Sequence, residues 1–114
     1  MTDSNTSPGL TFHAETNGIL VSVTPQFLED QSDPRAGKFI WGYQVEIENR
    51  RPDTVQLLRR TWRITGSDGR QQHVEGEGVI GEQPMIEPGD SFTYASGAPL
   101  SSPFGMMDGF YHMV

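Results

Sequence analysis

Apolar and polar residues alternate along most of this chain with the two-residue period of half-buried β-strands. Ile19, Val21 and Val23 share one face of a run that carries Ser22 and Thr24 on the other, and Pro25 turns its far end into an edge or a bend. Glu29 to Gly37 is polar and reads as a surface loop. Phe39, Trp41, Tyr43, Val45 and Ile47 then alternate with Ile40, Gly42, Gln44, Glu46 and Glu48, which predicts the clearest strand. A turn follows over Asn49 to Asp53. The next run changes phase: Val55 and Leu57 have one parity, and Leu58, Trp62 and Ile64 the other. A one-residue shift inside a strand is the mark of a β-bulge. Arg60 falls in the apolar row and is expected to snorkel to the rim.

Ser67-Asp68-Gly69 predicts a hairpin turn, and Arg70 to Glu75 a polar return strand at an edge. Gly76 to Pro84 holds too many glycines to be regular, and Pro88-Gly89 is another turn. Phe92, Tyr94 and Ser96 alternate, a loop holds Pro99 and Pro103, and a last run sets Met107, Gly109, Tyr111 and Met113 against Asp108, Phe110 and His112. No window carries a helical apolar stripe. About seven short strands predict an all-β fold, an antiparallel β-sandwich of immunoglobulin or fibronectin type III-like form. Met1 to Gly9 is polar without period and reads as a disordered tail, leaving 10–114 as a single domain.

Composition narrows the function classes. With 114 residues and 34% hydrophobic content, the chain has material for one core. It has no cysteine, which excludes disulfides, thiolate zinc sites and cysteine nucleophiles. Unbroken apolar runs reach only three residues, so no apolar helix can span a bilayer, and no signal-peptide pattern opens the chain. A cytoplasmic protein is the expectation. The net charge of −7 works against general nucleic-acid binding. Six of the eight basic residues, Arg50, Arg51, Arg59, Arg60, Arg63 and Arg70, lie between positions 50 and 70. In so acidic a chain, pairing with carboxylates on neighbouring strands is favoured over a dedicated anion site.

Gly76, Gly78 and Gly81 spell G-x-G-x-x-G. In a dinucleotide-binding fold that loop opens a helix whose amides hold the pyrophosphate. Here Pro84 and Pro88-Gly89 deny the helix, and Glu77 and Glu82 would face the phosphate. The glycines are better read as a bend between sheets, although exposed amides of such a loop can bind an anion without a helix. His13, His73 and His112 lie far apart without metal-ligand spacing, and no nucleophile elbow occurs. Neither a metal site nor a cofactor is expected.

Four segments, Leu57 to Ile64 (LLRRTWRI), Val74 to Pro84 (VEGEGVIGEQP), Ile86 to Gly97 (IEPGDSFTYASG) and Ser102 to Met113 (SPFGMMDGFYHM), resemble the bacterial ApaG family, also called CorD. The resemblance covers the chain from about Gly18 onward. It implies a fibronectin-like β-sandwich, no enzymatic activity, use as an interaction module in larger eukaryotic proteins, and a genetic link to cobalt and magnesium tolerance. The glycine motif belongs to the family pattern and has prompted a suggestion of nucleotide or pyrophosphate binding. Family members continue past the position of Val114 into a further strand, so a strand edge is expected to be exposed here, and covered by self-association. The leading expectation is a partner-binding domain whose contacts are the Gly76 to Pro84 loop and the strands bearing Arg59 to Arg70. The alternative is an anion binder built on Gly76, Gly78 and Gly81, with Glu82 and Gln83 beside them and Arg59 or Arg63 assisting.

Overall fold

A computed structural model describes residues 11–114; the expected tail over Met1 to Gly9 lies outside the described residues. Eight strands form two antiparallel sheets: β1 (Phe12–Thr16), β2 (Ile19–Phe27), β3 (Phe39–Asn49), β4 (Val55–Gly66), β5 (Gln71–Glu77), β6 (Met85–Ile86), β7 (Ser91–Leu100) and β8 (Gly105–Met113). The first sheet runs β1-β2-β3-β7. In the second, β4 is central: β8 pairs along one side, and β5 and the short β6 pair with successive parts of β4. The expected β-sandwich is what the chain forms, with no α-helix among the described residues.

Alternation translates directly into burial. In β3, Tyr43, Val45 and Ile47 are buried while Gln44 and Glu46 are exposed. These residues join Val55, Leu57, Ile64, Val79, Ile86, Tyr94, Ala98 and Leu100 in one core between the sheets. The phase change in β4 is a register shift between Leu57 and Arg59 against β8, and it lets Leu57 and Ile64 reach the same core despite opposite parity. The polar run around Arg70 to Glu75 is an edge strand, β5, as its composition requires.

Four expectations are corrected. Strand β1 was not foreseen, because its five residues are all exposed and leave little apolar signal. Its clue is Asn17-Gly18, where both residues have positive φ (51° and 83°), the primed hairpin geometry this dipeptide favours. Asn49 is not a turn residue. It ends β3 fully buried, where its Nδ2 donates to Asp53 O (2.8 Å) and Ile86 O (2.9 Å) and its Oδ1 accepts from Arg51 N (2.9 Å). Pro99 is not in a loop either; β7 continues through it, in register with Ile40. Gly76 lies within β5, opposite Arg60, rather than in irregular chain. Pro25 is paired with Tyr43 within β2, and among the described residues β1 reaches only to the partner of Val23, so the proline has a ladder partner on one side alone there.

Candidate functional site

Two places concentrate unusual features: the glycine segment on one side of β4, and the strand β8 on the other. At the first, Gly78 N donates to Leu58 O (2.7 Å) and Leu57 N to Pro84 O (3.0 Å). Residues 79–83 therefore leave the side of β4 between β5 and β6, and return. Val79 and Glu82 exchange backbone hydrogen bonds of 2.8 and 2.9 Å across a two-residue turn, Ile80-Gly81, in which both φ angles are positive (50° and 78°). Val79 is fully buried, so the segment contributes to the core. Gln83 Nε2 donates to Leu58 O (3.0 Å), and Gln56 Nε2 to Gln83 O (3.1 Å). The glycine segment is thus a clasp tied to the bulged part of β4.

The expected site residues fall into two groups. Gly76, Gly78, Gly81, Glu82 and Gln83 stay together in β5 and the clasp, but two of the three amides proposed as an anion cradle are differently used: Gly76 is in the ladder with Arg60, and Gly78 N is committed to Leu58 O. A Cβ at Gly78, where φ is +66°, would stand 1.9 Å from Glu82 O, so glycine is needed there for steric reasons. The guanidinium that reaches this segment is that of Arg60, whose Nη1 donates to Gly78 O at 2.5 Å. Arg60 was expected only to snorkel, and its target carbonyl is what the sequence pattern did not show. Arg59 and Arg63 point from the exposed face of β4. Arg59 lies in register between Glu77 and His112, while Arg63 grips Asp108 of β8 with Nε to Oδ1 at 3.1 Å and Nη2 to Oδ2 at 2.8 Å. These hydrogen bonds hold the Asp108 carboxyl below the usual carboxylate range. Arg50 pairs with Glu15 and Glu48, and Arg51 with Asp53. Of the six arginines, Arg50 and Arg63 pair with carboxylates on neighbouring strands, Arg51 and Arg70 pair locally with Asp53 and Asp68, and Arg60 is taken up by a backbone carbonyl.

At β8 the picture is different. Its inward row is Met107, Tyr111 and Met113, half-buried; its outward row includes Met106 and Phe110, which are 78% and 57% exposed. Tyr111 Oη meets Tyr94 Oη of the opposite sheet at 2.5 Å, and burial pushes both phenols above their ordinary pKa. The Trp62 indole stands edge-on to Tyr111 with ring centres 5.6 Å apart, and its Nε1 is buried without a hydrogen-bond partner among the described residues. Beyond Tyr111 the sandwich opens. An apolar cleft of about 1090 Å³ lies between β8 and the inner faces of β1 and β2, with Phe12, Val21, Val23 and Trp41 on its far wall. On its side away from β4, β8 has no partner among the described residues. The local signal was present in the sequence as an aromatic residue, Phe110, in the row that otherwise carries Asp108 and His112.

Among the described residues no group of three histidine, aspartate or glutamate side chains is placed to hold a metal ion. No helix among them is long and apolar enough to cross a membrane.

The class these features define is a two-sheet antiparallel β-sandwich, closed by a glycine clasp on one side of β4, with β8 paired along the other. Residues 29–114 match the family model of the ApaG domain. The chain is 53% identical over 102 residues to Protein ApaG of Maricaulis maris and 51% identical over the same length to Protein ApaG of Brucella anthropi, covering 90% of this chain and 78% of each relative. A crystal structure of the protein designated ApaA from Bordetella pertussis superposes with a TM-score of 0.83 at 44% identity, covering 84% of this chain and 78% of that one. The chain belongs to the ApaG family.

Proposed function

We propose that this domain is a non-enzymatic, cytoplasmic protein-interaction module whose contact surface is centred on β8, and that any part it has in cobalt and magnesium tolerance is exerted through its partner. One observation carries the reading. Seven large hydrophobic side chains are exposed among the described residues, and four of them, Phe104, Met106, Phe110 and Val114, lie on or directly beside β8. Scattered exposed hydrophobics are ordinary, whereas a contiguous set marks a contact surface. The contact surface expected from sequence, the clasp and the arginine strands, moves to the neighbouring strand: the clasp is tied down by backbone hydrogen bonds, and Arg63 is occupied by Asp108. For the anion-binding alternative, Gly76 and Gly78 are already engaged with β4, which leaves only the Gly81 amide of the three glycines to meet a ligand.

A photo-cross-linking residue placed at Phe110 in cells tests the reading, with Thr93 on the outer face of the first sheet as control. A discrete adduct at position 110 that is absent at position 93 is the expected result. No adduct at 110, or the same adducts at both positions, would overturn it.

A further inference from the structure

We propose that Ile80, at the tip of the glycine clasp, is a contact residue that inserts into an apolar, basic-rimmed pocket of a protein partner. The proposal rests on the interaction reading above and adds a second contact on the other side of β4. The chain makes the same turn twice. Asn17-Gly18 joins β1 to β2 with φ angles of 51° and 83°, and Ile80-Gly81 joins Val79 to Glu82 with φ angles of 50° and 78°. Both turns have two residues and the same hand, and they differ at the first position in side chain alone. Asn-Gly is the dipeptide such a turn favours, because asparagine tolerates the left-handed region. Isoleucine is among the residues least suited to it, since a branched Cβ crowds the main chain at positive φ.

No packing within the described residues offsets that strain. Ile80 is 59% exposed, while its neighbour Val79 is fully buried, so the core takes Val79 and leaves Ile80 outside. A strained backbone and an exposed apolar side chain are separate penalties to the isolated domain, and one residue carrying both is placed for something beyond it. The clasp suits that use. The hydrogen bonds that occupy its main chain, Gly78 N to Leu58 O, Leu57 N to Pro84 O and the Val79–Glu82 pair, hold the tip in place, so little freedom is lost on binding. Beside the tip, a Cβ on Gly81 would meet nothing within 4 Å, which leaves that side open to approach.

The surroundings select the occupant. Glu77, ending β5, and Glu82, closing the turn, are both exposed, and neither is in an ion pair among the described residues. Arg60 is engaged by Gly78 O, and Arg59 lies in register with Glu77 without pairing to it. Two carboxylates against one unpaired guanidinium leave the rim acidic, on a chain of net charge −7, and complement lysine or arginine around the receiving pocket. The same charge opposes an anionic lipid surface, for which one apolar side chain is in any case too small an anchor. It opposes a second copy of this chain as well.

Ile80→Asn restores the favoured turn and removes the apolar tip, while Ile80→Val keeps the branched apolar shape. In thermal unfolding of the whole chain, Ile80→Asn is expected to raise Tm by about 4 °C or more and Ile80→Val to leave it unchanged. A photo-cross-linking residue at Glu82, in cells, is expected to give a discrete protein adduct that Ile80→Val keeps and Ile80→Asn weakens at least about tenfold, the loss that follows when a buried isoleucine contact is removed. Glu77→Lys should weaken the same adduct, and Glu77→Gln should weaken it less. An unchanged or lower Tm for Ile80→Asn would mean that the turn is not strained by its side chain, and would overturn the proposal. So would an adduct at 82 that is indifferent to Ile80→Asn, no adduct at 82, adducts only with lipid, or adducts only of twice the chain's mass, which assign the tip to a second copy. If position 110 gives its adduct and position 82 gives none, the Ile80 contact fails while the interaction reading stands; if the unaltered chain gives no Phe110 adduct, that reading fails first.

Discussion

Replacing Gly78 by alanine separates a steric glycine from a ligand-binding one. Two costs arise together. An alanine held at φ +66° pays about 1–2 kcal/mol for the left-handed conformation. Its Cβ would also sit 1.9 Å from Glu82 O, a main-chain atom that cannot rotate aside, so the Val79–Glu82 turn has to open. Losing one or two of those backbone hydrogen bonds adds about 1 kcal/mol each. The sum is about 2–4 kcal/mol, a fall in Tm of about 4 °C or more per kcal/mol for a domain of this size. Gly81→Ala is the internal control: φ is +78°, yet nothing lies within 4 Å of an added Cβ, so it should lose only about 1 kcal/mol. Urea unfolding of both variants reads the difference as a shift in midpoint at constant slope. Calorimetry of the unaltered protein with pyrophosphate and ATP at low salt should show no heat. Equal, mild effects at the two glycines together with measurable pyrophosphate binding would refute the assignment of this segment as a clasp.

Asn49→Ala should cost about 2–4 kcal/mol in urea unfolding, since it strands Ile86 O, Asp53 O and Arg51 N, while Asn49→Asp should be no better because it removes both donors. Asp108, Asp53 and Asp68 have folded pKa values below their unfolded ones, held down mainly by hydrogen bonds from Arg63, Arg51 and Ser101 respectively. Their stabilisation is complete above about pH 4 and drains away as pH falls through the folded values, so Asp108→Asn should flatten the acid limb of a stability–pH curve. The raised phenols of Tyr94 and Tyr111 act at the other end: stability should decline as pH rises above about 10, where the unfolded tyrosines ionise first, and Tyr111→Phe should reduce that decline in an alkaline titration followed by tyrosinate absorbance.

How much of this was legible in the sequence depends on whether the determining contact is local. The pattern from Phe39 to Glu48 and from Met107 to Met113 alternates along single strands, and both strands appear as read. The bulge near Leu58 was legible because side-chain parity records it directly. Strand β1 was not, because its inward side chains, Phe12 and Ala14, overhang the cleft instead of entering the core, and selection for a buried face is weak there. Pro99 misled for a related reason: proline signals a break, but here β7 carries it in register with Ile40. The glycine segment showed its composition but not its partners. That Gly78 is fixed by Glu82 O, and that Arg60 rather than Arg59 or Arg63 reaches its carbonyl, follow from the bulge and from the return of the chain through Pro84. The cleft was the least legible feature. It is lined by residues of β1, β2, β3 and β8, which lie far apart in the chain, and no local pattern joins them.

Photo-cross-linking in cells from position 110, which is 57% exposed on the outward face of β8, tests most directly whether that strand carries the contact surface. A discrete adduct at 110 that is absent at the Thr93 control is the predicted result. No adduct at 110, or the same adducts at both positions, would contradict the placement of the contact surface on β8.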